Sequence, residues 1–226
     1  MTVRFLLLMP WGRVGSNLVF EILRQSAPMK LANESLNGVR SWDEQARWFA
    51  QFYETETPAP AHAFIGSKQN MLAVRDDAAF AQLCRAAGLR IVRLRRASIL
   101  KTAVSQMRAE EHAKTTKSWA VKRGGPTLGA CAIDPALLMK RLSIMEACDV
   151  RLSALFAPEE TLDIAYEELA AALAPAIARV RAHLGVPETP YKVPFDKATP
   201  DRLEEAIVNL EEVRAALQGT RYEGEV

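Results

Sequence analysis

The chain is predicted to be an α/β protein, a parallel sheet flanked by helices on both faces. Three observations lead there. Short apolar runs alternate with longer stretches of helical spacing, and two of those runs break directly into basic turns that open a helix. The third is a clear helix stop late in the chain, where His183-Leu184 is followed by Gly185 and then Pro187.

In order, the hydrophobic run Val3 to Met9 reads as a first strand, and apolar spacing resumes as a helix over 16–26. A helix over 43–53, a short strand over 63–67 and a helix over 76–87 follow. The strand 90–94 feeds a helix over 98–111, and a long helix covers 135–156. A strand over 161–165 leads into a helix over 167–184, closed by Gly185. Pro187, Pro190, Pro194 and Pro200 then mark an extended connection into a last helix over 201–217. Its stripe of Leu203, Ile207, Leu210, Val213 and Leu217 must be buried, in the expectation against the protein's own body.

Composition bounds the function. With 226 residues, 49% hydrophobic and 25% charged, the chain reads as one soluble domain over 1–226. A net charge of +2 argues against nucleic-acid binding by bulk electrostatics. The first apolar run is too short for a membrane span and lacks a small-residue cleavage site, so it is expected to be a strand. Three widely spaced cysteines, Cys84, Cys131 and Cys148, suggest reduced thiols and a cytoplasmic location. They and the three histidines, His62, His112 and His183, show no ligand spacing, so no metal is expected.

The informative stretch is Met9-Pro-Trp-Gly-Arg-Val-Gly-Ser-Asn-Leu18, a strand, a tight loop and a helix start. Backbone N–H groups there have no intrahelical acceptor and lie at the positive end of the helix dipole, so an anion is stabilised. Gly12 and Gly15 let the backbone turn, Arg13 brings charge and Ser16 a hydroxyl. The plain alternative is a turn that binds nothing. The string G-x-x-x-x-G-K-[ST] of nucleotide triphosphate loops is absent, and so is G-x-G-x-x-G. A second cationic junction follows the strand carrying Arg90, Arg93, Arg95 and Arg96, with Ser98, Thr102 and Ser105 behind it. In an open parallel sheet both junctions lie along the carboxyl edge, where ligands bind.

Three blocks together resemble the sulfotransferases that use 3′-phosphoadenosine 5′-phosphosulfate (PAPS), in their bacterial carbohydrate or trehalose branch. Trp11-Gly-Arg-Val-Gly-Ser-Asn-Leu18 is similar to the family's 5′-phosphosulfate loop. Ile91-Val-Arg-Leu-Arg-Arg-Ala-Ser-Ile-Leu-Lys-Thr-Ala-Val-Ser105 is similar to its 3′-phosphate strand and helix. Tyr166-Glu-Glu-Leu169 with His183-Leu-Gly-Val-Pro187 resembles its Tyr-Glu-(Asp/Glu)-Leu element and helix end. The tail Asn209 to Tyr222 also looks like the closing segment of bacterial members. The resemblance implies a sulfotransferase fold akin to that of P-loop NTPases. It also implies metal-independent, in-line transfer of a sulfonate to a hydroxyl of a small carbohydrate or other metabolite.

By that resemblance, Gly12, Arg13, Val14, Gly15, Ser16 and Asn17 hold the 5′-phosphosulfate, with Arg13 also catalytic. The family's 3′-phosphate arginine stands eight residues before the serine, which here is Ala97, so the role passes to Arg95 or Arg96, with Ser105 in register. Glu34 in Ala32-Asn-Glu-Ser-Leu-Asn37 is the implied general base, with Glu21, His62 and His112 as rivals. Lys68, after the strand 63–67, is the implied second cation. Lys114, Lys117, Lys122 and Arg123 around Trp119, with Gly124-Gly-Pro126, read as a lid or acceptor loop. The acceptor pocket is expected from residues 28–60 and 112–130. The alternatives are a kinase-like nucleotide enzyme and a degenerate member that binds nucleotide without turnover.

Overall fold

A computed structural model describes residues 2–54, 63–117, 119, 121, 123–125, 128–196, 200 and 202–226. Five strands, β1 (Val3–Met9), β2 (Met29–Asn33), β3 (Phe64–Asn70), β4 (Arg90–Arg95) and β5 (Thr161–Ala165), form one sheet in the order β2-β3-β1-β4-β5. Every pairing is parallel. The helices are α1 (Ser16–Arg24), α2 (Trp42–Tyr53), α3 (Asp77–Ala86), α4 (Ile99–Thr116), α5 (Pro135–Leu155), α6 (Tyr166–Ala171), α7 (Leu173–Leu184) and α8 (Leu210–Leu217).

The chain divides into two compact units. The first, residues 1–97 and 148–192, contains the whole sheet. Successive residues of a strand point to opposite faces, so β1 serves two cores at once. Phe5, Leu7 and Met9 join Val92, Leu94 and Ile164 beneath Val19, Ile22 and Leu23 of α1 and Ile177, Val180 and Leu184 of α7. On the other face lie α2 and α3, whose Phe49 and Phe80 rings meet edge to face at 5.4 Å. The Tyr53 hydroxyl donates to Phe5 O at 2.8 Å and stands 2.7 Å from Ser67 Oγ, tying α2 to the sheet. The parallel sheet with helices on both faces is therefore the architecture of this unit.

Local chemistry sets most helix ends. Ser41 and Asp76 accept N–H bonds from Glu44 and Ala79 at the starts of α2 and α3. Pro175 cannot follow an unbroken helix, because its ring would strike the carbonyl of Ala171. The helix expected over 167–184 is accordingly split at Ala172 into α6 and α7. Buried Arg93 of β4 makes a two-pronged pair with Asp163 of β5 at 2.6 and 2.8 Å, directly across the register.

The second unit, residues 98–147 and 193–226, holds α4, the first part of α5, and α8. Here the helix expected over 201–217 is corrected to Leu210–Leu217, preceded by a 3₁₀ turn at Leu203–Glu205. Cys131 N donates to Ala206 O and Val208 N to Cys131 O, so backbone that a helix would use is paired elsewhere. The Asn209 side chain completes the exchange, accepting from Ile133 N and donating to Ile133 O. The expected lid stretch is shortened, because Lys114 lies inside α4 and Lys117 caps it. Arg123 N and Gly124 N donate to Pro194 O and Asp196 Oδ2. Lys122 and Pro126 lie outside the described residues, as do residues 55–60 of the expected acceptor segment. Among the described residues, no helix is long and apolar enough to cross a membrane.

Strand β3 pairs beside β1, with Gly66 opposite Phe5. A Cβ on Gly66 would stand 2.1 Å from the Phe5 ring, in the middle of the core. Gly66→Ala is expected to destabilise the protein by about 1–3 kcal/mol through overpacking. Urea denaturation is the check, with Gly88→Ala as the comparison: that position has open space around it, and only its positive φ resists a side chain.

A candidate anion site at the carboxyl edge of the sheet

Parallel register fixes where the site lies. Met9 pairs with Asn70 and Asn33 with Lys68, so β1, β2 and β3 end together at one edge. The loop after β1 carries Arg13 at φ 68° and Gly15 at φ 82°, two left-handed residues in three. They turn the chain so that Ser16 starts α1, with Val14 and Ser16 buried and Gly12 and Arg13 partly exposed. Unlike α2 and α3, α1 has no side-chain cap and no acid in its first turn among the described residues. Its leading amides keep their positive field for a ligand.

The loop is braced from α6, which follows β5 directly. A Cβ on Gly15 would come within 2.8 Å of Leu169 Cδ1 and 3.4 Å of the Tyr166 ring. The Tyr166 ring in turn carries the Arg96 guanidinium at 4.5 Å. One aromatic ring therefore links the glycine of the first junction to an arginine of the second.

The four arginines of β4 and its end have separate partners. Arg90 donates to His183 O, Arg93 is locked to Asp163, and Arg95 donates to Ser153 Oγ at 2.8 Å and lies 3.6 Å from Asp149. Arg96 alone of these is stacked beside the loop. Ser105 and Thr102 are buried on α4, in the second unit.

Lys68 departs from its expected setting. It lies within β3 rather than after a strand ending at residue 67, and its side chain is 1% exposed. Its Nζ donates to Asn17 Oδ1 of α1 and stands 3.1 Å from Glu34 Oε1. Burial pushes the Lys68 ammonium below its usual range, while Glu34 and, more weakly, Glu21 oppose that shift. Asn17 thus meets Lys68 through its side chain.

Glu34 follows β2 directly, at φ 47°, and its N–H donates to Lys68 O at 2.7 Å. Its other carboxylate oxygen, Oε2, accepts from Asn37 Nδ2 at 3.0 Å and Asn70 Nδ2 at 3.1 Å. Among the described residues, three partners occupy three of the roughly four lone-pair sites of an ionised carboxylate, and the side chain is 28% exposed. The structure brings Asn17, Glu34 and Lys68 together, and strand β2, read from sequence only as part of the acceptor segment 28–60, is what delivers Glu34. His112 sits inside α4 rather than beyond a helix ending at 111, and His62 lies outside the described residues. Asn70 and Asn37 were missed. The available signal was the carboxyl end of β3, hidden because the strand was expected to stop three residues early.

No protein-family model matches this chain, and no curated protein matches it by sequence. Among solved structures it is similar to a sulfotransferase from Alicyclobacillus acidocaldarius, at 15% identity over 96% of this chain and 95% of that one, with a TM-score of 0.48. A mouse sulfotransferase, SULT7A1, solved with PAP, is similar at 10% identity over 83% of this chain and 61% of that one, TM-score 0.44. A sugar kinase from Janibacter sp. HTCC2649, unliganded, is similar at 12% identity over 82% and 96%, TM-score 0.42. At these identities the likeness reaches neither a donor nor an acceptor.

The pair of buried Lys68 and half-buried Glu34 makes two measurable demands. Lys68→Met and Glu34→Gln are expected to be non-additive, with a coupling of about 1 kcal/mol or more in a double-mutant cycle of unfolding free energies. The folded state holds the Lys68 proton less tightly than the unfolded chain does, so the unfolded chain binds more protons between the lowered value and the ordinary 10.5. Stability contributed by this group therefore rises with pH through that window. Lys68→Met should flatten the rise in denaturation series at increasing alkaline pH.

Proposed function

We propose that this chain, residues 1–226 acting as one sulfotransferase-like domain, is a metal-independent sulfotransferase. It would take sulfonate from PAPS, release 3′-phosphoadenosine 5′-phosphate (PAP), and modify a hydroxyl of a small carbohydrate or other metabolite. The observation that carries the reading is the α1 N-terminus, without a side-chain cap among the described residues, with left-handed Arg13 and Gly15 beside buried Lys68 and its partner Glu34. The donor's anionic end fits these residues, since α1 offers amides without a competing acid and the loop is already bent around Gly15.

In this reading, the amides of Gly15, Ser16 and Asn17 and the Arg13 guanidinium hold the 5′-phosphosulfate, and Arg96 rather than Arg95 serves the 3′-phosphate. Arg96 is stacked on Tyr166 beside the loop, whereas Arg95 is directed to Ser153 and Asp149 on α5. When bound, the donor supplies an activated sulfonate on a phosphate leaving group. Lys68 keeps positive charge next to Asn17, where charge on departing oxygens is stabilised. Glu34 accepts the acceptor's hydroxyl proton, and the amides of Asn37 and Asn70 keep that carboxylate from turning away.

The first test is a thermal-shift titration with PAP beside ATP with magnesium. PAP at about 100 times its Kd should add about 2.7 kcal/mol to stability, and Arg13→Ala should abolish the shift. Stabilisation by ATP alone would replace this reading with a kinase-like one. Glu34→Gln should retain the PAP shift and lower sulfonate transfer by roughly 10²- to 10⁴-fold. Undiminished transfer in that variant moves the base elsewhere.

A further inference from the structure

Asn70 is the last residue of β3, 7% exposed, and its side chain has three partners. Oδ1 accepts from Ala73 N at 3.1 Å. Nδ2 donates to Glu34 Oε2 at 3.1 Å and to Asn37 Oδ1 at 3.0 Å. The Ala73 bond decides which way the amide faces. A backbone N–H can only donate, so the oxygen must turn toward Ala73 and the NH₂ toward Glu34.

Ala73 is itself held. Gln45 Nε2 donates to Ala73 O at 2.6 Å, and Gln45 is buried in α2. Arg151 bonds Met71 O at 3.0 Å and Val74 O at 2.9 Å while paired with Asp77 at 2.6 Å. Met71 N donates to Met9 O at 2.9 Å, joining this turn to the strand that opens the anion loop. The turn after β3 is thus fixed from α2, β1 and α5, and with it the Ala73 N–H that orients the Asn70 side chain.

We propose that Asn70 is a positioning residue for Glu34: its amide, turned by the bond from Ala73, holds the carboxylate in one rotamer. This rests on the reading of Glu34 as the base. The groups facing Glu34 divide cleanly. Lys68 from β3 contributes positive charge to Oε1, and Asn37 and Asn70 contribute N–H donors to Oε2. From α1, Asn17 meets Lys68, and Glu21 acts on Lys68 only weakly. Hydrogen bonds donated to a carboxylate favour its charged form, and a second carboxylate in the same place disfavours it. Asn70→Asp keeps shape and the bond from Ala73 but turns a donor into a negative acceptor against Oε2. The second negative charge then makes ionisation of Glu34 more costly.

The experiment is a carbon-13 NMR titration of the Glu34 carboxyl in the full chain, with melting temperature recorded for each variant. In Asn70→Asp the Glu34 midpoint should rise by about one pH unit or more. In Asn70→Ala it should rise less, and the melting shift given by PAP should be unchanged in both. The acid limb of sulfonate transfer should move up with the midpoint. An unmoved midpoint in a normally melting Asn70→Asp overturns the proposal, whatever Glu34 does. Full transfer by Glu34→Gln overturns the base reading instead, because the titration still reads the Asn70 contact. Should Asn70→Asp fail to fold, the wild-type protein decides: the Asn70 side-chain amide signals must shift at the Glu34 midpoint, and flat signals overturn the proposal.

Discussion

Parallel pairing in register is the constraint on which the site depends. β3 lies against β1 along its whole length, with Val3 opposite Phe64 and Met9 opposite Asn70, and β2 lies against β3 with Asn33 opposite Lys68. Because all strands run the same way, their carboxyl ends come out at one edge, and whatever follows each strand is delivered there. The anion loop follows β1, Glu34 follows β2, Asn70 ends β3, Arg96 follows β4, and Tyr166 follows β5. A slip of one residue would move Lys68 to the opposite face, away from Asn17 and α1.

That placement also explains why a lysine is tolerated almost without solvent. Lys68 shares its face of the sheet with Phe5, Leu7 and Met9, a setting that disfavours charge, and burial lowers its proton affinity accordingly. Asn17 and Glu34 offset part of that cost, one from a helix and one from a loop, so the lysine joins α1 to the end of β2. A group this costly to bury has more reason to persist in a site than in a core, where an apolar residue of similar size would pack without the desolvation cost.

Tyr166 provides a second junction. Its ring lies against Gly15 and under Arg96, and Leu169, one turn further along α6, closes on the same glycine. The sequence block Tyr166-Glu-Glu-Leu169 is thus a brace whose first and last residues contact one loop. Glu167 and Glu168 are used locally, Glu167 accepting from Ala97 N and Glu168 from Ala165 N.

The sequence by itself determined the alternation of strands and helices, the loop of Gly12 to Asn17 and the cationic end of β4, while Glu34 and Lys68 became candidates only through the resemblance to a family. The first three are written in local signals: apolar period, glycine and proline, and charge beside a turn. Tertiary structure decided what these signals do not encode. β2 is a partly buried edge strand with a weak pattern, so only its pairing with β3 reveals it. The last helix is cut to Leu210–Leu217 because Cys131, distant in sequence, claims the preceding backbone. Of four arginines alike in sequence, the tertiary structure sets Arg96 against the Tyr166 ring beside the loop and directs the other three to His183, Asp163 and Ser153. Asn70 gained its place beside Glu34 for the same reason: hydrogen-bond partners are chosen by which strand ends meet, and that is settled only when the sheet closes.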